Sequence, residues 1–150
     1  YLIDKFEKNC SGYCYFFYLE IKDYVGEQKS KSIEEEITSI DPKILSSFNA
    51  KRHECQNDSY VCSLIRNDFV EEFIAYVNQA CISLTSKIKT SIFETNEFLI
   101  ENEPTLIEYS AFYGSIQIFQ YLQLNNVELK PNLWFYAIHS QNAELIHILE

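Results

Sequence analysis

A repeat of 27 residues near the carboxyl end constrains the fold of this chain more than any other feature. Shifting residues 105–122 forward by 27 positions aligns the apolar and aromatic residues of one copy with those of the next. The aligned pairs include Ile107 with Trp134, Tyr109 with Tyr136, Ser110 with Ala137, Ile118 with Leu145, and Leu122 with Leu149. Self-similarity at a fixed period is typical of a solenoid, in which each unit buries its apolar face against its neighbours.

Each copy contains two short apolar patterns separated by a polar break, which predicts a helix–turn–helix unit. Ile118, Phe119 and Leu122 recur at spacings of three and four, as on one face of a helix. In the break, Gly114 allows the left-handed backbone that ends a helix, and Ser115 can cap the next helix. Such a pair is too short to bury its apolar face alone, so about three or more stacked pairs are expected.

The second copy carries Gln141 and Asn142 at the break. The left-handed backbone conformation costs Gln141 ~1 kcal/mol more than it costs glycine. Asn142, in contrast, is a good helix cap. The helical pattern is still present at Glu150, with no capping residue after it. We therefore expect further repeats of the same chain to follow Glu150.

Residues 105–119 resemble the ankyrin repeat, whose pattern is Thr-Pro-Leu-His-x-Ala-Ala-x-x-Gly-His-x-Glu-Ile-Val. The matching residues are Thr105, Ala111, Gly114 and Ile118 in the first copy, and Ala137, Glu144, Leu145 and Ile146 in the second. The chain also resembles a divergent ankyrin subfamily that is greatly expanded in some protists. The expectations for the fold and function of this chain therefore come from the ankyrin family.

Two departures from the ankyrin pattern affect what is expected here. The Pro and His positions of the pattern hold Leu106 and Glu108 in the first copy. The period of 27 is also shorter than the usual ~33 residues. Since the missing residues fall near 129–132, we expect the β-hairpin finger of ankyrins to be clipped or absent there.

The resemblance implies an all-α, ankyrin-like helical solenoid that serves as a protein–protein interaction scaffold. In ankyrin stacks, the exposed side of each first helix lines a concave groove. By carry-over, this groove contains Tyr109 and Phe112 of one copy and Tyr136 and His139 of the next. Aromatic side chains suit protein binding, because they offer a large area with few rotatable bonds. In the alternative, these aromatic residues pack between adjacent repeats and only stabilise them.

The same patterns divide the second part of the chain. Residues 57–79 are interpreted as a degenerate repeat, 80–104 as an insert with a short helix, 105–131 as a repeat, and 132–150 as a truncated repeat. Helix pairs are predicted near 57–78, 105–124 and 132–150. The degenerate repeat aligns with the next at an offset of 46 in its first helix and 45 in its second. This difference indicates a one-residue change in the turn, or a generic helical hairpin.

Residues 1–56 are predicted to form an N-terminal, mostly helical segment. Ser32 begins a pattern that resembles a capping box at a helix start. Asp41, followed by proline, is a second predicted cap, for a helix that runs to about Phe48. The apolar window at 12–25 fits a helix or a strand, and we favour a helix.

Charge and cysteine content limit the partners and the compartment. The net charge of −10 makes nucleic acid a poor partner, because phosphate binding requires a basic surface. The most apolar window, 12–25, is shorter than the ~20 residues of a membrane span. Five scattered cysteines, an odd number, indicate free thiols in a reducing compartment. We therefore expect an intracellular, cytoplasmic protein whose partner is another protein.

No catalytic, cofactor-binding or metal-binding set is predicted. The candidate zinc ligands have irregular spacing; they are Cys10, Cys14, His53, Cys55 and Cys62. His139 and His147 occupy repeat positions, and the chain has neither a phosphate-binding glycine loop nor a hydrolase or zinc-protease motif. The alternative to a scaffold is a regulatory or structural segment of a larger enzyme-containing protein, which the full-length sequence would reveal.

Overall fold

The computed structural model describes residues 15–40 and 42–150. Over these residues it contains ten α-helices and no β-strand, so the prediction of an all-α chain is confirmed for this part. The helices are α1 (Tyr18–Ile21), α2 (Glu27–Ile40), α3 (Ile44–Glu54), α4 (Tyr60–Arg66), α5 (Val70–Gln79), α6 (Glu97–Asn102), α7 (Leu106–Tyr113), α8 (Ile116–Leu124), α9 (Leu133–Ser140) and α10 (Ala143–Leu149).

The chain divides into two compact units. The described part of the first unit comprises residues 15–40, 42–56 and 91–95, and the second unit comprises 57–90 and 96–150. From the sequence, residues 91–95 were interpreted as part of the insert at 80–104, within the repeat region. Phe93 is nevertheless fully buried in the core of the first unit, which explains the different assignment of this segment.

The first unit contains α1, α2 and α3 around a small apolar core. The buried members of this core are Tyr18, Ile33, Ile37, Ile44, Phe48 and Phe93. The ring centroids of Phe48 and Phe93 lie 5.2 Å apart in an edge-to-face arrangement, the geometry that aromatic pairs favour. Residues far apart in sequence thus complete one core.

Two predictions for the N-terminal segment are wrong in detail. Helix α2 begins at Glu27, so Ser32 lies inside the helix and does not cap it. Gly26, with a φ of 76°, precedes this start, and the polar residues after it include good helix formers. Helix α3 continues past Phe48 to Glu54. Asp41 lies outside the described residues, and of the window at 12–25 the described part contains α1.

The second unit contains three consecutive helix pairs, one in each predicted region. The pairs are α4 with α5, α7 with α8, and α9 with α10. The first helices pack in sequence, α4 on α7 and α7 on α9, and the second helix α5 packs on α8. One continuous apolar core runs through the three pairs.

A left-handed residue joins the two helices of every pair. These residues are Asp68, Gly114 and Gln141, with φ values of 53°, 70° and 51°. Asp68 and Gly114 are 46 residues apart, which is the offset found between the first helices of these two pairs. The second helices differ in length, since α5 has 10 residues and α8 has 9. The one-residue difference between the two copies therefore lies in the second helix and not in the turn.

Polar side chains near the starts of the second helices cap these helices or connect neighbouring pairs. Asn142 caps α10 as predicted, since its side chain accepts hydrogen bonds from the amides of Glu144 and Leu145. Ser115 does not cap α8; its hydroxyl instead donates to the carbonyl of Ile65, at 2.5 Å. The Asp68 carboxylate of the preceding pair accepts from two amides at the start of α8, those of Gln117 and Ile118, both at 3.0 Å.

Asp68→Ala is expected to lower the free energy of unfolding of the second unit by about 1–2 kcal/mol, as for other lost helix caps. Alanine would also be strained at a φ of 53°. Asp68→Asn is the matched control, because asparagine tolerates this backbone and retains one oxygen acceptor. Urea denaturation followed by circular dichroism measures both variants. Equal midpoints for the two would show that neither the lost cap nor the alanine backbone strain matters here.

Two segments of the second unit, one before and one after residues 91–95, contact each other. Lys87 and Thr105 form an isolated antiparallel bridge, beside which the Ile88 amide donates to the Pro104 carbonyl at 2.7 Å. An ion pair joins Lys87 to Glu103 at 3.0 Å. The insert contains the predicted short helix as α6. Residues 129–132, where the short period led us to expect a clipped or absent finger, form an irregular connection and a turn without a β-hairpin.

Candidate protein-binding surface

The structure buries two of the four residues predicted to line a binding groove. Tyr109 is 1% exposed and Tyr136 is 2% exposed, so the prediction that both line an open groove is wrong. The reason for Tyr109 is that α4, α8 and α9 all pack around α7, which leaves little of this helix accessible. Phe112 is half-buried and His139 is exposed.

Tyr109 connects two helix pairs. Its hydroxyl accepts a hydrogen bond from Arg66 Nη1 at 3.0 Å, and the same nitrogen donates to the Asn57 carbonyl at 2.8 Å. Its ring lies 4.8 Å from that of Tyr113. Burial raises the pKa of Tyr109 far above its usual range, so the hydroxyl stays protonated. The role of this side chain is therefore structural.

Tyr136 is covered by the insert. Its ring lies 4.9 Å from that of Phe98, which belongs to α6. Burial, with a smaller contribution from the Glu108 carboxylate, raises the pKa of Tyr136 to about 12. The residue thus lies beneath α6 and not on an open face.

Three rings form a partly exposed aromatic surface, which we define as Phe98, Phe112 and His139. The ring centroids of Phe112 and His139 lie 4.9 Å apart, with the rings stacked at 30°. Phe98 lies 4.8 Å from His139 and 6.1 Å from Phe112. Phe112 and His139 occupy equivalent positions in consecutive repeats, so helix stacking brings them together. Two of the four predicted site residues therefore do lie side by side at an accessible place.

Phe98 is the member of the aromatic surface that the sequence interpretation missed. The pattern of residues 92–100 did predict a short helix, although the observed helix α6 begins only at Glu97. The insert has no counterpart in the repeat, however, so no residue alignment could indicate which surface α6 would cover. The one signal in the sequence was the apolar character of Phe98 and Leu99, which indicates that this helix packs against other residues. In the structure Leu99 is buried and Phe98 is half-buried.

The chemistry of the aromatic surface suits contact with a protein side chain or a cation. Rigid rings provide contact area at a small entropic cost, and phenylalanine faces attract ammonium and guanidinium groups. Glu97 and Glu101 are exposed on α6, one turn apart. The helix that contributes Phe98 to this surface therefore also carries two exposed carboxylates.

Among the described residues, no group of three or more His, Cys, Asp or Glu side chains is arranged to hold a metal ion. Cys55 is exposed in the first unit, whereas Cys62 is buried in the core of the second. Cys10 and Cys14, the other candidate zinc ligands, lie outside the described residues. In the same described part, no helix is both long and apolar enough to cross a membrane.

The ankyrin resemblance depends on the repeat residues themselves. Gly114 and Asn142, which end and begin helices in two successive copies, take the backbone roles expected of them. Comparison of the chain with protein-family models, with curated proteins and with solved structures gave no match.

Proposed function

We propose that this chain is a protein-binding scaffold of ankyrin-like helix pairs, with no catalysis of its own. Three consecutive pairs with a left-handed residue at the same place in each support a solenoid of this type. The repeat residues Thr105, Ala111 and Gly114 support the ankyrin resemblance. Repeat stacks of this kind create extended surfaces on which partners bind.

The single observation that carries the proposed function is the aromatic surface of Phe98, Phe112 and His139. Aromatic side chains that are stacked and partly exposed are enriched where proteins bind one another. These three are held by packing on one another, so little entropy is lost when a partner covers them. The binding site of the proposed scaffold is therefore this surface, with the buried ring of Tyr136 in contact with Phe98.

The charge of the same region favours a cationic partner. Residues 96–150 contain seven carboxylates and a single lysine, Lys130. Complementary charge steers association and excludes partners of like charge. We therefore propose that the partner presents a Lys- or Arg-containing segment with an apolar anchor.

Selection of a displayed random-peptide library on the immobilised chain tests this proposal. Enriched peptides are expected to carry basic residues beside apolar ones, and their binding should weaken as salt concentration rises. His139→Ala, at an exposed position, combined with Phe112→Leu, which keeps an apolar side chain but removes the ring, should weaken binding by roughly tenfold or more, as expected of hot-spot residues.

Tyr24→Ala provides the matched control, because Tyr24 is an exposed aromatic residue of the first unit. It should leave peptide affinity unchanged. Peptides that bind the double variant as tightly as the original chain would contradict the assignment of this surface. Failure to enrich any peptide would contradict the binding function itself.

A further inference from the structure

A cavity of about 100 Å³ lies in the second unit, where the starts of α7 and α9 meet two connecting segments. Thr105 and Glu108, at the start of α7, line it together with Thr85 from the segment before the Lys87–Thr105 bridge. A cavity of roughly 150 Å³ accommodates benzene, so this one has room for a group of about four non-hydrogen atoms. It is large enough for a small ligand.

Glu108 brings a buried negative charge to this cavity. The residue is 7% exposed, and its Oε2 accepts from the amide and the hydroxyl of Thr105, at 2.7 and 2.9 Å, while Oε1 accepts from Asn132 Nδ2 at 2.7 Å. Over the residues that the structure describes, no cation forms an ion pair with this carboxylate. Buried charges are normally paired, and the amino end of α7 supplies at most roughly half a positive charge. The carboxylate therefore favours a cation beside it.

Helix capping alone does not account for a charge at this position. Thr105 and Glu108 form a capping box at the start of α7. The equivalent of Glu108 is Cys62 in α4 and Phe135 in α9, and neither of these helices has a side-chain cap. The helix pairs thus form without this carboxylate, and glutamine also serves in a capping box.

We propose that the cavity binds a primary ammonium group on a short alkyl stem, as carried by a small amine or by a lysine side chain. A carboxylate accepts roughly four hydrogen bonds, so Glu108 has one acceptor position left. The hydroxyl oxygens of Thr85 and Thr105 each have a second lone pair beside the contacts that they make with Ser83 and Glu108. These three acceptors match the three N–H donors of an ammonium group.

The lining of the cavity favours an alkylammonium over other cations. A guanidinium group binds a carboxylate best through both oxygens, but both oxygens of Glu108 already accept hydrogen bonds. Metal ions such as Ca²⁺ require about six or more oxygen ligands, and only two carboxylates, Glu108 and Glu128, line this cavity. The apolar part of the lining, Ile107, Val127 and Leu133, suits the alkyl stem.

Lys130 is the one cationic residue in the lining, and it competes with the ligand. Lys130 and Glu128 are both exposed, so their charges are hydrated and oppose each other. Lys130→Ala leaves the lining with two carboxylates and no cation. This variant is therefore expected to bind an alkylammonium ion more tightly than the original chain does.

Titration of the full chain with n-propylammonium chloride, followed by two-dimensional amide NMR spectra, tests the site. A ligand of this size is expected to bind with a dissociation constant of about 0.1–10 mM. The amide signals of Thr85, Thr105 and Glu108 should shift until they saturate. Propan-1-ol, which has the same size but no charge, should bind roughly tenfold more weakly or worse.

A second ligand distinguishes the two sources of the ammonium group. Nα-acetyl-lysine methylamide presents the same group on a peptide backbone. Tighter binding of this compound than of n-propylammonium would assign the site to a lysine side chain of a partner. Weaker binding would assign it to a free amine.

Two variants with matched controls locate the binding. Glu108→Gln removes the charge and should weaken n-propylammonium binding roughly tenfold or more. Glu144→Gln makes the same change at an exposed position of α10 and should leave binding unchanged. Thr85→Val removes a hydroxyl at an exposed position, so the fold is not at risk, and should weaken binding roughly threefold. Thr90→Val, also exposed, is its control.

The proposal fails on any of three results. They are shifts that do not saturate, equal affinity for propan-1-ol, and unchanged binding by Thr85→Val together with a folded Glu108→Gln variant. This site does not rest on the proposed protein-binding function, because none of Phe98, Phe112 and His139 lines the cavity. Failure here is therefore distinct from failure of the aromatic surface.

Discussion

Tyr109→Ala is expected to lower the free energy of unfolding of the second unit by about 3–5 kcal/mol, the usual cost of emptying a buried aromatic site. The ring is 1% exposed and lies among the helices that surround α7. The substitution also removes one of the two acceptors of Arg66 Nη1. Urea denaturation followed by far-ultraviolet circular dichroism measures the change.

Tyr109→Phe separates the contribution of the ring from that of the hydroxyl. Phenylalanine fills the same volume and loses only the hydrogen bond from Arg66, for which a cost of about 1 kcal/mol is expected. The alanine variant should therefore unfold at a clearly lower urea concentration than the phenylalanine variant. An alanine variant as stable as the original chain would contradict the burial of Tyr109.

Phe93→Ala is expected to have a similarly large effect, about 3–5 kcal/mol, in the first unit. Phe93 is fully buried there, against Phe48, and the ammonium group of Lys51 lies 5.8 Å from its ring centroid. Native-state hydrogen exchange locates the effect, because it reports the opening of separate cooperative units. Amides of α2 and α3 should lose protection, while those of α7 should keep most of theirs.

Phe98→Ala is the matched control for Phe93→Ala. The chemical change is the same and lies only five residues further along the chain, but Phe98 packs against Phe112 and Tyr136 in the second unit. Its effect should appear in the amides of α7 and α9. If both variants weakened protection in the same helices, the division of the insert between two units would be wrong.

The sequence by itself determined the helices of the repeat region and much of their turns. Short apolar patterns predicted three helix pairs, and the structure has a pair in each region. Gly114 and Asn142 adopt the roles that their residue types predicted, because helix ends depend on residues within one or two turns. Gln141 takes the left-handed backbone at the position aligned with Gly114, although its residue type disfavours it. Interactions of such short range are fully contained in a local stretch of sequence.

Only the tertiary structure decided which aromatic residues are accessible. Tyr109 and Tyr136 repeat with the same period of 27 residues as Phe112 and His139. The first pair is buried, whereas the second forms part of an accessible surface. Their period is identical, so the pattern could not separate them. The distinction came from the packing of α4, α8 and α9 around α7 and from α6 lying over Tyr136.

The same limit applies to Asp68 and Phe93. Asp68 caps α8 although 49 residues separate it from Gln117, and Phe93 completes a core whose other buried residues lie between positions 18 and 48. Contacts between residues so distant in sequence form only when helices pack, and no local propensity specifies the partner. The sequence therefore determined the elements, while their packing decided which residues support the fold and which remain accessible to a partner.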